Sequence, residues 1–224
     1  MRVLPILFNT EMVRAIWVGK KKCTRRIVKI TNYINQQDDG LYTLFAEGTC
    51  YENQHFEEIV QYLKKPYQPG DILYVRETVW QKIGYYLDID GETKPSWYNE
   101  FKYVASDEKP ETGWKYSWAK RPSIHMPKEA ARIWLKVTDV RIERLQEITE
   151  DGAKAEGAID NRGFIHSPEN EYDSIHTARE HFAEIWNNTI KKSDLDRYGW
   201  DASPWVWVVE FERCEKPEDI KIKV

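Results

Sequence analysis

The chain is short of cysteine, of long apolar runs and of net charge. Its 224 residues include three cysteines, Cys23, Cys50 and Cys214. They lie far apart, are odd in number and contain no Cys-x-x-Cys pair. That speaks against a disulfide framework and a structural zinc, and for a reducing compartment. No apolar run approaches the roughly 20 residues that cross a bilayer. Residues 1–8 are too short for a signal peptide and lack a small-residue cleavage site, so a cytoplasmic protein is expected. A net charge of −4 argues against a generic, salt-driven nucleic-acid coat, which carries a large basic excess. It leaves room for a nucleotide or a short RNA held in one basic pocket. No Walker-type or dinucleotide glycine-rich loop is present, so no nucleotide cofactor is expected. Of the histidines, His166 stands apart, and His176 and His181 are five residues apart. That spacing does not put a pair on one helix face, so no metal site is expected.

Hydrophobic residues make up 41% of the chain and aromatics 13%, with ten tryptophans, enough for a sizeable core. One domain over 1–215 is expected, with a charged tail at 216–224. Residues 3–8 read as a strand that Pro5 places at an edge or a bulge. Asn9 or Thr10 caps a helix with Val13, Ile16 and Trp17 on one face, and Gly19 ends it. Helical spacing recurs over 55–65, and a strand over 72–77 follows the Gly70-Asp71 turn.

The longest strand candidate is 130–145. Ile133, Leu135 and Val137 share one parity and Val140 and Ile142 the other, which predicts a β-bulge near Thr138-Asp139. Thr149 caps a helix over 150–156 ended by Gly157. Asp173 or Ser174 caps a longer one to about Ile190, with Ile175, Ala178, Phe182, Ile185 and Trp186 inward. A final strand places Trp205, Trp207, Val209 and Phe211 on one face. Residues 81–128 read as a polar, aromatic-rich, loop-like insertion, a candidate binding loop or lid, with a strand only near 101–104. Without a βαβ rhythm, this mixture points to an α+β protein: a small, strongly bent barrel of mixed or antiparallel strands with peripheral helices.

Against the acidic background, Gly19-Lys20-Lys21-Lys22-Cys23-Thr24-Arg25-Arg26 stands out. Lys20 to Lys22 sit at a helix C-terminus, where carbonyls favour cations. Thr24, Arg25 and Arg26 continue into a β-branched run that this does not explain. A lysine among cations and partly buried can act as a base, beside a threonine hydroxyl as nucleophile or water-holder, provided a carboxylate completes the set. A solvated basic turn accounts for the same residues more simply.

Four pieces resemble, in order, the ASCH-domain family of the PUA-like superfamily, in a phage or prophage subgroup. They are the helix followed by the 19–26 segment, Pro69-Gly70-Asp71-Ile72-Leu73-Tyr74-Val75-Arg76-Glu77, Ile148 to Gly157 with its Ala-Lys-Ala-Glu-Gly end, and the strand Trp205 to Phe211. Arg121-Pro122-Ser123-Ile124-His125-Met126-Pro127 adds to the match. The resemblance implies a PUA-like β-barrel whose cleft binds RNA or a modified nucleoside or nucleotide. A small related branch hydrolyses the amide of acetylcytidine with Lys, Thr and Glu. Carried over, these are Lys21, Thr24 and Glu156, with Arg25 or Arg26 available to a developing negative charge. Lys22 and Cys23 depart from that branch's pattern, and the chain is about twice its length.

Other ligand-binding candidates follow from position. Arg76 and Glu77 have opposite parity after the Gly-Asp strand, so one of them faces the cleft, or they belong to a structural ion pair or a solvated edge. Ser123 and His125 sit in a proline-flanked turn. Trp80 and Trp118 flank the insertion, where they stack on a base or pack the core. Three readings remain open: RNA or nucleoside binding, an acetylcytidine-type amidohydrolase, and a phage accessory module that binds a protein partner around a vestigial site.

Overall fold

The computed structural model of the chain describes residues 1–29, 34–38, 40–46, 49–162 and 176–218. In chain order its strands and helices are β1 (Val3–Leu7), α1 (Thr10–Trp17), β2 (Cys23–Ile27), β3 (Ile34–Gln36), β4 (Tyr42–Ala46), β5 (Thr49–Gln54), α2 (Phe56–Ile59), β6 (Ile72–Arg76), β7 (Val79–Leu87), β8 (Thr93–Tyr103), β9 (Tyr116–Arg121), β10 (Trp134–Arg144), α3 (Glu150–Ala155), α4 (Ala178–Thr189), α5 (Leu195–Tyr198) and β11 (Trp205–Cys214). The protein is α+β and strand-rich. Its strands form a five-stranded sheet in the order β1-β6-β10-β11-β2 and two three-stranded sheets, β3-β4-β5 and β8-β7-β9. Only β1 and β6 run parallel within the large sheet.

β10 and β11 are the spine. The register of β10 against β11 shifts between Val137 and Asp139, where the parity of the apolar residues switches. The bulge turns Val140 to the same core that takes Ile133, Leu135 and Val137. β11 is buried on both faces. Trp207, Val209 and Phe211 join that core, while Val206 and Val208 pack with Ala153 of α3 and with Phe182 and Trp186 of α4. Pro5, without an N–H, lies in the edge strand β1. The edges β1 and β2 share no ladder among the described residues. A side chain joins them instead: the Arg26 Nη2 donates to the Leu7 carbonyl at 2.9 Å.

Several expectations are corrected. Residues 81–128 are not mainly loop: β7, β8 and β9 form an antiparallel sheet. Most of β8 is exposed, so no apolar alternation marks it in the sequence. Trp17 is 47% exposed and lies against the Arg132 and Arg213 guanidiniums, 4.9 and 5.0 Å from its ring centre. Thr177 caps α4, its side chain accepting from the Glu180 N–H. Asp173, Ser174 and Ile175 lie outside the described residues, as does His166. The helix expected over 55–65 is one turn of α-helix followed by a 3₁₀ turn over Val60–Tyr62.

Leu135 has no exposed surface and sits in the main core. Leu135→Ala should lower unfolding stability by about 2–5 kcal/mol in urea titration. A loss below about 1 kcal/mol would place the core elsewhere.

Candidate functional site

The basic segment is where two helix C-termini meet. Asn9 starts α1, its Oδ1 accepting from the Met12 N–H at 2.8 Å. Gly19, at φ +74°, ends it. The Lys20 and Lys21 N–H groups then both donate to the Ala15 carbonyl, at 2.9 and 3.0 Å. α3 starts at Thr149, whose Oγ1 accepts from the Gly152 N–H at 3.0 Å. It ends at Gly157, φ +96°, where a Cβ would stand 3.1 Å from the Ala15 Cβ. The Lys22 N–H donates to the Ala155 carbonyl at 2.7 Å. The turn 20–22 is thus strapped between the carbonyl ends of α1 and α3, whose partial negative charge favours lysine there.

Beneath the turn lies a buried chain of alternating charge. Lys21 Nζ donates to Glu156 Oε2 at 2.5 Å and to the Glu156 carbonyl at 2.9 Å. Arg25 Nη1 reaches Glu156 Oε1 at 3.3 Å, and its Nη2 reaches Glu143 Oε2 at 3.0 Å. The Lys21, Glu156 and Arg25 side chains are 0%, 4% and 3% exposed. Arg141 extends the chain outward, joining Glu143, Asp139 and Glu210. The Cys23 thiol lies inside the chain, 3.9 Å from Arg25 Nη1. Burial, and then the Glu156 charge, push its pKa up to about 12 against the partial relief of Lys21 and Arg25.

The structure therefore brings Lys21 and Glu156 together, 135 residues apart in sequence. Thr24 is buried on β2. It pairs with Val209, while Arg25 pairs with Val208, so the two side chains take opposite faces of the strand. Among the described residues no hydrogen bond links Thr24 to Lys21 or Glu156. Arg26 is spent on the Leu7 carbonyl and lies over the Phe8 ring, 5.6 Å from its centre. Arg76 donates to the carbonyls of Met126 and Ile124. Glu77, 1% exposed, takes a two-pronged contact from Arg132 at 2.8 and 3.0 Å. Glu77 is thus a structural ion pair with Arg132, while Arg76 is held by backbone carbonyls. Ser123 and His125 lie in a 3₁₀ turn, with His125 exposed. Trp80 and Trp118 belong to β7 and β9 of the separate sheet.

Over the charged chain opens a cleft of about 1040 Å³, lined by the backbone turn at Gly19 and by Lys20, Lys22, Asp151, Lys154, Asp160 and Arg162 among others. Four cations thus face two carboxylates on a chain that is acidic as a whole. Arg162 pairs with Asp160 at 2.8 Å, and Lys154 approaches it at 4.0 Å. The hydrogen bonds from the Arg162 side chain and backbone hold the Asp160 pKa down to about 2. Lys20 and Lys22 are exposed, and neither makes an ion pair among the described residues. A second cavity of about 360 Å³, between α1 and α4, is lined by Glu156, Lys20 and His181 among others. Lys154 and Arg162 were missed in the sequence. Lys154 lies inside the Ala-Lys-Ala-Glu-Gly piece, but only the convergence of the helix ends sets it beside Lys20.

His176 precedes α4 instead of lying on it, so the helical spacing argument does not govern it. Its ring meets that of His181, centres 4.8 Å apart. Among the described residues no group of three or more His, Cys, Asp and Glu is placed to hold a metal ion, and no helix is long and apolar enough to cross a membrane.

No protein-family model, curated protein or solved structure matches the chain.

The raised Cys23 pKa has a chemical consequence. At pH 8 its thiolate fraction falls by about a thousandfold relative to a thiol of pKa 9. Folding raises this pKa, so the associated stability is intact below about pH 9 and is lost as pH climbs toward about 12. An aromatic disulfide reagent at pH 8 should modify exposed Cys50 promptly and Cys23 only after unfolding. Equal rates, read by peptide mass, would contradict the buried charge chain.

Proposed function

We propose that the chain binds a phosphate-bearing ligand, a nucleotide or the end of an RNA, in the cleft between the 19–22 turn and residues 151–162. The observation that carries this reading is the convergence of Lys20, Lys22, Lys154 and Arg162 on one open cleft of about 1040 Å³. Phosphate oxygens are met best by such charged donors. The four sequence pieces that resemble the ASCH-domain family support the same class of ligand. A PUA-like barrel is proposed with it, supported by the bulged spine at Val137/Asp139 and by Arg26 tying one edge of the sheet to the other. The setting proposed is the cytoplasm of a bacterial host, with the protein encoded by a phage or prophage.

Calorimetric titration with nucleoside mono- and triphosphates tests the cleft. The variant Lys20→Ala/Lys22→Ala/Lys154→Ala should bind about tenfold more weakly or worse, which is about 1.4 kcal/mol, and the wild-type affinity should fall with added salt. An affinity untouched by the three substitutions would refute the assignment.

A second reading has its own observation: Lys21 and Glu156 meet in a buried 2.5 Å ion pair. As an amidohydrolase of acetylated cytidine, the protein would use Lys21 as base, Thr24 as nucleophile or water-holder and Glu156 to hold Lys21 and shuttle the proton. The leading reading has Lys21 as a buried strut, with two of its three donors engaged by Glu156. It therefore predicts no release of acetate from acetylcytidine in a chromatographic assay. Turnover by the wild type that Lys21→Ala and Thr24→Ala each abolish would replace it with the enzymatic one.

A further inference from the structure

The β8-β7-β9 sheet is far larger than a connection between β6 and β10 requires, and its two faces differ. Register assigns residues to faces. On one, Val79 pairs with Tyr103 and Arg121, and Gln81 with Phe101. Val79, Phe101 and Tyr103 of this face form a small core with Met126 and Ala130, while Tyr85 and Trp97 farther along it are exposed. On the other face, Trp80 pairs with Lys102 and Lys120, Lys82 with Trp118, Gly84 with Tyr116, and Tyr86 with Lys94. Tyr98 shares it, since a Cβ at Gly84 would stand 2.8 Å from the Tyr98 ring.

This second face carries five aromatics, Trp80, Tyr86, Tyr98, Tyr116 and Trp118, interleaved with four lysines and one acid, Glu100. Tyr86, Tyr98 and Tyr116 are 52%, 46% and 36% exposed. Lys82 holds the array in place: it bonds to Glu100 at 2.8 Å and lies 4.5 and 5.6 Å from the ring centres of Tyr116 and Tyr98. Lys94 pairs with Asp88 at the hairpin tip. Lys102 and Lys120 are exposed and make no ion pair among the described residues, and Lys120 lies 5.8 Å from the Trp80 ring centre. A buried core has no use for lysine between its rings, and a protein-docking face is depleted of it. Rings to stack bases, with cations between them for the phosphates, match a single-stranded nucleic acid.

We propose that this face is a platform for single-stranded RNA or DNA, its bases stacking on Tyr116, Trp118 and Trp80 and its phosphates meeting Lys102 and Lys120. Gly84 is a positioning residue, because its missing side chain lets Tyr98 lie across the sheet. The platform shares no residue with the basic cleft and stands whether or not that cleft binds nucleotides.

Fluorescence anisotropy of labelled 12-nucleotide RNA and DNA with the full chain tests it. Binding to either polymer at low salt should weaken about tenfold or more in Lys102→Glu/Lys120→Glu, and about tenfold in Tyr116→Ala. Gly84→Ala should weaken it less while leaving the melting temperature near wild type. Lys102→Glu/Lys120→Glu should keep the mononucleotide affinity that the cleft variant Lys20→Ala/Lys22→Ala/Lys154→Ala loses, so the two sites fail separately. No binding of either polymer, or binding that Lys102→Glu/Lys120→Glu and Tyr116→Ala both leave unchanged, overturns the platform. So does tight binding of poly-glutamate with no competition from the 12-mers, which would make the face a protein-docking surface.

Discussion

The contact on which the rest of the site depends is the one Glu156 makes with Lys21 and Arg25. A carboxylate that is 4% exposed is held between an ammonium and a guanidinium that are no more exposed than it is. Leaving one of these charges without its partner would cost about 3–5 kcal/mol, so the three side chains fix one another. Through them the end of α3 is fixed to the start of β2, and through the 20–22 turn to the end of α1. The geometry of the surface cleft follows from that junction, since Lys20 and Lys22 flank Lys21 and Lys154 precedes Glu156 by two residues.

The junction also divides labour within a single run of basic residues. Alternate side chains go to different tasks. Lys21 and Arg25 turn inward to the carboxylates, Arg26 ties the two edges of the large sheet together, and Lys20 and Lys22 remain at the surface. Two helix C-termini supply the field that makes so dense a cluster tolerable. Positive charge is then left over at the rim, where a phosphate can reach it, while the buried charges are already matched. The aromatic and basic face of the β8-β7-β9 sheet is a second, separate concentration of the same chemistry, built on strand pairing instead of helix ends.

Much of this was legible in the sequence, for physical reasons. The parity switch across Val137 and Val140 pointed to a bulge, and the register shift there brings both residues to one core. Asn9, Thr149, Gly19 and Gly157 announced the helix ends through cap chemistry and through the left-handed backbone that glycine permits. Pro5 marked an edge or a bulge because it lacks a donor, and β1 is an edge strand. The pairing of Lys21 with Glu156 came from resemblance, as no local pattern relates residues 135 positions apart. What stayed hidden lacked a local signal. β8 is exposed along most of its length, and each of its two parities mixes polar with aromatic residues, so no apolar alternation shows. Trp17 looked like a core residue by helical spacing, but guanidiniums cover it at the surface. His176 and His181 looked incompatible only on the assumption that both belonged to the helix.

A double-mutant cycle on Lys21→Met and Glu156→Leu, read by urea unfolding, tests the central claim most directly. The account predicts that each single variant is strongly destabilised, that the double variant recovers much of the loss, and that the coupling exceeds about 1 kcal/mol. Additivity within about 0.3 kcal/mol would mean that the two charges do not form the junction on which the cleft is built.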